Sequence, residues 1–141
     1  MARLIDAISG LEHEKSVLMN ALFSRRFPQV LTLVSADAPK MLDLAWALSQ
    51  ALVCESEEAP CGKCGACLRI ESKQSESVLL VEPKGLTVKV EQVKDVLDFV
   101  SLKVLGRARV VIFSEAENLG LQAANALLKT LEEPMEQSYF L

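Results

Sequence analysis

Aromatic side chains are scarce in this sequence, 5% of residues against 50% hydrophobic, so a core must be assembled from Leu, Val, Ala and Ile rather than from large rings. That aliphatic bias suits the buried strands of a parallel sheet. Positive charge is not in excess either. The formal net charge is −4, and no stretch interleaves clustered Lys and Arg with stacking rings, which excludes a dedicated nucleic-acid grip by this chain alone. Long apolar runs are missing too: nothing approaches the roughly 18 apolar residues of a membrane span, and the opening Met1 to Gly10 lacks a signal-peptide pattern. The expectation is a soluble cytoplasmic protein with no membrane partner. A chain of 141 residues can bury one compact core, so residues 1–141 are read as a single domain.

What is present alternates in period. Val17, Leu18, Ala21 and Leu22 recur at helical spacing and predict an amphipathic helix from Leu11 that ends near Pro28. Val30 to Val34 (VLTLV) reads as a buried strand, followed by a loop and by an almost wholly apolar helix from Met41 to Val53. Leu68 to Ser77 is polar, Val78 to Glu82 (VLLVE) reads as a second strand, and Val93, Val96, Leu97 and Val100 mark a helix. A third strand, Ala108 to Phe113, precedes a helix from about Leu121 to Glu133, which Pro134 stops, and Ser138 to Leu141 starts a fourth strand. Strands alternating with helices predict an α/β fold, a parallel sheet in three layers. Reaching Leu141 inside a strand predicts a longer natural protein with further pairing beyond it.

All four cysteines fall in one short segment, Cys54, Cys61, Cys64 and Cys67, spaced C-x6-C-x2-C-x2-C. In a reducing compartment such a cluster points to metal rather than disulfides. Four soft ligands without an open position describe a closed structural Zn2+ site in a module of about residues 54–72. Glycines follow Cys61 and Cys64, which would permit tight turns, and Lys63 and Arg69 would offset part of the thiolate charge. Two other readings are four reduced cysteines acting as small hydrophobes, which the surrounding Gly, Lys and Glu disfavour, and a CxxC redox pair, which needs fewer cysteines than are here.

Val30 to Val53 also has the strand, loop, helix order in which a P-loop protein places G-x-x-x-x-G-K-[ST]. Here the loop is SADAPKML, Ser35 to Leu42. Its glycines are missing, Asp37 adds a repelling charge, Pro39 removes an amide donor, Lys40 is displaced by one position, and Met41 and Leu42 stand where Lys and Ser or Thr belong. The strand that would end in Asp-Glu to hold Mg2+ ends instead in Ser114-Glu115. Two losses in the two required places predict that no ATP is hydrolysed here. A set of ordinary loops in an unrelated α/β domain is the plainer reading of the same residues.

Three further segments carry a family likeness. Ile8 to His13 (ISGLEH) with Asn20-Ala21-Leu22 and Phe27-Pro28-Gln29, the placing of the cysteine module after the first core helix, and above all Ala123 to Pro134 (AANALLKTLEEP) resemble bacterial clamp-loader AAA+ subunits of DNA polymerase III, over the whole chain. The resemblance implies a P-loop, RecA-like AAA+ sheet with an inserted four-cysteine zinc module. With both ATP motifs lost it implies the delta-prime branch: a rigid, non-catalytic part of the DNA polymerase III holoenzyme, a DNA-directed DNA polymerase complex, in which ATP is not expected as a cofactor. Its implied partners are the gamma/tau and delta subunits and, through the assembly, the sliding clamp and primed DNA in replication. The branch's arginine finger, in a Ser-Arg-Cys motif, would fall after Leu141. The chain departs from the family where His-Pro-Asp is replaced by Gln74-Ser75-Glu76 and a His by Gln29. Competing functions are an ATP-hydrolysing clamp-loader subunit, another divergent P-loop ATPase or nucleotide kinase working through Lys40, and a zinc-ribbon nucleic-acid module, which the acidic balance disfavours.

Among the remaining residues, His13 is expected to be exposed and Trp46 to be core rather than a base-stacking platform. Asn125 faces solvent or bonds across to a strand end. Glu132 and Glu133 form a solvated helix end or a subunit contact, with Lys129 placed to offset their charge.

Overall fold

The computed structural model describes residues 3–104 and 106–141. The chain divides into two compact units, one running to Pro28 and resuming over Thr32–Glu76, the other made of Gln29–Leu31 and Ser77–Leu141. The first is helical. After a 3-10 turn, Leu4–Ala7, it holds α1 (Glu12–Phe23), α2 (Ala38–Val53) and α3 (Gly65–Glu71).

Helix α2 starts where the sequence says a helix can start. The Asp37 carboxylate accepts the Lys40 N–H at 3.1 Å, and Pro39 stands in the first turn, where its missing N–H costs nothing. From Leu44 to Ala51 every residue is buried, as the unbroken apolar run requires, and the two polar members are satisfied internally: Ser49 Oγ donates to the Ala45 carbonyl at 2.8 Å, and Gln50 bonds at both ends of its amide. Trp46 lies in this core, with Lys73 Nζ 5.7 Å from its ring centre, so the core reading of Trp46 holds.

The first helix stops earlier than expected, at Phe23 rather than near Pro28. Arg25 adopts a left-handed φ of 58°, and two returning bonds close the end: Arg25 N–H to the Leu22 carbonyl at 3.2 Å and Arg26 N–H to Ala21 at 2.8 Å. This is the helix stop usually built on glycine, here built on arginine. Helix α3 ends in the same way at Lys73, also at φ 58°, with Lys73 and Gln74 N–H bonding back to Ile70 and Arg69. Left-handed backbone costs a residue with a Cβ about 1–2 kcal/mol. Arg25→Gly should therefore raise stability by up to about 1 kcal/mol, after the extra entropy lost by glycine, read as a higher denaturation midpoint.

The second unit is a parallel sheet with crossover helices: β1 (Val78–Val81), α4 (Val90–Ser101), β2 (Arg109–Phe113), a 3-10 turn at Ala116–Asn118, α5 (Leu121–Glu132) and β3 (Ser138–Phe140), with the strands in the order β1-β2-β3. Val78 pairs with Val110 and Arg109 with Ser138, both ladders parallel. One face of the sheet, through Val81, Val111 and Phe140, packs with Val88, Val93, Val96 and Val100 before and along α4 and with Ala123 and Leu127 of α5. These valines fill the core that rings would fill elsewhere. Helix α4 is capped by Gln92, whose Oε1 accepts the Lys89 N–H at 3.0 Å while Nε2 donates to the Glu82 carbonyl at 2.6 Å, tying the helix to the end of β1.

The expected first strand is corrected. Val30–Val34 forms one parallel bridge, Val30 to Phe140, supported by Leu31 N–H to the Phe140 carbonyl and Phe140 N–H to Gln29, and Val34 is 86% exposed. Gln29–Leu31 meets β3 through this bridge and these backbone bonds, and β3 is itself only three residues long. The fourth expected strand is thus the third observed. Likewise α3 lies partly inside Leu68 to Ser77, where polarity alone indicated no element.

Candidate metal centre and phosphate-loop positions

The candidate metal centre is built by the end of one helix and the start of another. Cys54 caps the carboxyl end of α2, and Cys64 caps the start of α3, its sulfur accepting the Cys67 N–H at 3.4 Å. Between them a short loop turns through a cis Ala59–Pro60 peptide and through Gly62 at φ 74°, a left-handed backbone within the buried interior of the loop. Gly62 therefore serves the turn expected of it. Gly65 does not: it opens α3, and a Cβ there would lie 3.1 Å from the Arg69 guanidinium.

The four sulfurs of Cys54, Cys61, Cys64 and Cys67 lie within 4.8 Å of one another, with Cys61 to Cys67 and Cys54 to Cys64 each at 4.0 Å. Sulfurs about 2.3 Å from a tetrahedral ion stand roughly 3.8 Å apart, so the donor set and its spacing fit an ion of that size. Backbone amides already point at the sulfurs. Ser56 and Cys61 donate to Cys54 at 3.4 Å, and Lys63 and Cys64 donate to Cys61 at 3.5 and 3.3 Å. Such bonds stabilise thiolates rather than thiols.

The electrostatics divide the quartet. The amides of Lys63 and Cys64 bring the Cys61 thiol down to about 6. Burial raises Cys64, but the amides of Glu55 and Cys67 outweigh it and leave that thiol below its ordinary value. Burial pushes Cys54 and Cys67 up, more than their amide bonds recover. Cys61 and Cys64 thus favour charge more than Cys54 and Cys67 do; a dication held among the four would supply the attraction that the buried pair lacks. Of the flanking cations, Lys63 is exposed, and Arg69 pairs with Glu76 at 3.8 Å. One residue that shapes this site escaped the pattern: Gln50, whose amide donates to the Cys67 carbonyl at 3.3 Å. Its signal was a polar amide one turn before Cys54, beside Ser49, in a helix otherwise apolar there.

The phosphate-loop residues sit in the first unit and hold each other. The Asp37 carboxylate occupies the α2 N-terminus, Asp37 N–H donates to Ser35 Oγ at 3.1 Å, and Lys40 Nζ is turned away to the Ser9 carbonyl at 3.0 Å. Met41 and Leu42 are half-buried helix residues with apolar side chains. A phosphate would have to displace a carboxylate of its own sign to reach these amides. In the second unit Ser114 folds back on β1, its N–H and Oγ reaching the Val81 carbonyl at 3.1 and 3.4 Å, while Glu115 accepts from Asn118 Nδ2 at 3.4 Å. His13, Asn125, Glu132 and Glu133 are all exposed, which favours the solvent-facing reading of Asn125.

Known proteins share much of this sequence. Residues 10–141 match the family described as DNA polymerase III, delta subunit. The chain is 42% identical over 103 residues to the DNA polymerase III delta-prime subunit of Yersinia pestis, covering 70% of this chain and 30% of that protein. It is 33% identical over 137 residues to the tau subunit of Escherichia coli strain K12, covering 95% and 21%, and 32% identical over 120 residues to the delta-prime subunit of Bacillus subtilis strain 168, covering 84% and 36%. It thus spans between about a fifth and about a third of the length of these relatives. A solved gamma subunit-related protein from Thermotoga maritima, 28% identical, superposes over 53% of this chain and 28% of its own with a TM-score of 0.44, which does not establish a shared fold. With nearly the whole chain matched by the family, the chain belongs to the DNA polymerase III delta subunit family, as a delta-prime-like clamp-loader domain.

Proposed function

We propose that this domain serves a clamp loader as a non-catalytic subunit of the delta-prime kind, a scaffold for neighbouring gamma/tau and delta subunits when the sliding clamp is placed on primed DNA. Its architecture would be the AAA+ P-loop sheet, in the cytoplasm, with one structural Zn2+ held by Cys54, Cys61, Cys64 and Cys67. The observation that carries this reading is the closed phosphate loop: Asp37 occupies the helix end that a nucleotide would need, and Lys40 is committed to Ser9. Loss of the acid at Ser114 supports it independently. Zinc, when bound, would supply charge for four sulfurs and cross-link the end of α2 to the start of α3. No chemistry is asked of it.

The tau relatives align over more of the chain than the Yersinia delta-prime relative does, 95% against 70%, which favours an ATP-hydrolysing clamp-loader subunit as the second reading. Reconstitution separates the two. The full-length protein should join gamma/tau and delta in one complex, and Lys40→Ala should leave the ATPase and clamp-loading rates of that complex within about twofold, since Lys40 holds a carbonyl rather than a phosphate. A loss of ATPase beyond tenfold would favour the second reading, and failure to enter the complex would reject both.

A further inference from the structure

Gln50 lies on α2 one turn before Cys54 and is 0% exposed. Among the described residues its side chain makes these directed bonds: the Leu4 N–H donates to Oε1 at 2.9 Å, and Nε2 donates to the Cys67 carbonyl at 3.3 Å. Only one orientation of the amide serves both, because a backbone N–H must donate and a carbonyl must accept. One end of Gln50 therefore holds the first residue of the turn Leu4–Ala7, and the other holds the backbone of a candidate metal ligand. The turn is otherwise anchored by buried Ile5 and Ile8 and by Lys15 Nζ, which donates to their carbonyls at 3.2 and 2.6 Å. Leu4 itself has its N–H on Gln50. A buried amide is costly to leave half-satisfied, so loosening one of these bonds disturbs the other.

We propose that Gln50 is a positioning residue of the metal centre, fixing Cys67 for the ion and coupling metal occupancy to the docking of the amino-terminal turn Leu4–Ala7. The inference rests on the reading of the four cysteines as zinc ligands. With the ion in place Cys67 is held, its carbonyl fixes Nε2, and Oε1 is presented to Leu4. Without the ion, Cys67 loosens, its carbonyl no longer orients Nε2, and the bond from the Leu4 N–H to Oε1 weakens. Coupling of this kind is reciprocal, so freeing Leu4 weakens the hold on the ion.

The test is zinc release from the intact, reduced protein to a coloured chelator, with hydrogen exchange of the amino-terminal segment read in parallel. Gln50→Met keeps the length of the side chain and removes both polar ends; release should quicken roughly 10-fold, the lower end of the loss seen when an outer partner of a metal ligand is removed. Leu4→Pro removes the N–H, exchanging the half-buried leucine side chain for the proline ring, at the first position of a helical turn and after an extended Arg3, where proline is tolerated. It should quicken release by less than Gln50→Met. Leu44→Ala, buried on the same helix, serves as the control for destabilisation alone and should release zinc at the wild-type rate. In the wild type, chelation should accelerate exchange at Leu4. Wild-type release from Gln50→Met, or equal release from Leu44→Ala and Gln50→Met, overturns the coupling. Should Gln50→Met fail to fold, Leu4→Pro and the Leu4 exchange decide: no change in either overturns it. A wild-type protein without zinc removes the metal reading and the coupling together, whereas zinc bound with unchanged release removes the coupling alone.

Discussion

Cys67→Ser should reduce bound zinc from about one ion per chain to a small fraction of that, and with it the protection of α3 against hydrogen exchange. Cys67 is fully buried, its sulfur stands 4.0 Å from that of Cys61, and a serine hydroxyl is a hard, poorly ionised replacement for a soft thiolate. The consequence is large because α3 has seven residues, too few to persist on helix propensity, and its cap is the sulfur of Cys64, another of the four candidate ligands. Structural zinc contributes on the order of 10 kcal/mol of apparent binding energy at neutral pH, most of it realised as local folding. Elemental analysis of protein purified under reducing conditions checks the stoichiometry, and exchange over residues 54–72 checks the fold. The sheet of the second unit, with its own valine-rich core, should retain its protection. A variant that keeps its metal would show that three sulfurs suffice, and a wild type without metal would refute the site.

Leu127→Ala should cost about 2–5 kcal/mol, read as a shift in the urea midpoint. Leu127 is 0% exposed on α5 and packs with Val93, Val96 and Val100 of α4 and with Phe140 of β3. Removing its branched end leaves a cavity among β-branched neighbours that have few rotamers with which to close it. Leu128, next in sequence and 51% exposed, should tolerate alanine within about 0.5 kcal/mol. Equal losses at the two positions would contradict the placement of α5.

The sequence made some features legible because their chemistry is local. The cysteine quartet declares itself through four soft ligands at short spacing, and α2 through Asp37 and Pro39 at its start. The Asp37 carboxylate at the α2 N-terminus is legible for the same reason, since a capping side chain acts where it stands. Val30–Val34 shows where local reading stops: β-branched residues favour extended backbone, but a ladder needs a partner, and β3 offers three residues. The ends of α1 and α3 were hidden because Arg25 and Lys73 occupy left-handed positions that glycine ordinarily announces. Helix α3 itself owes its start to the Cys64 sulfur rather than to an apolar period, and Gln50 acquires its role only when Leu4 and Cys67 are brought to its two ends. Periodicity records none of these, because each turns on a particular contact or backbone conformation rather than on a repeating pattern.

The central claim is that a clamp-loader frame persists here around a phosphate loop that no longer accepts phosphate. Calorimetric titration of the zinc-loaded protein with Mg-ATP tests it directly. The account predicts no saturable binding up to about millimolar nucleotide, because the α2 N-terminus is already occupied by Asp37 and a second negative charge is repelled there. One-to-one binding in the micromolar range would contradict it.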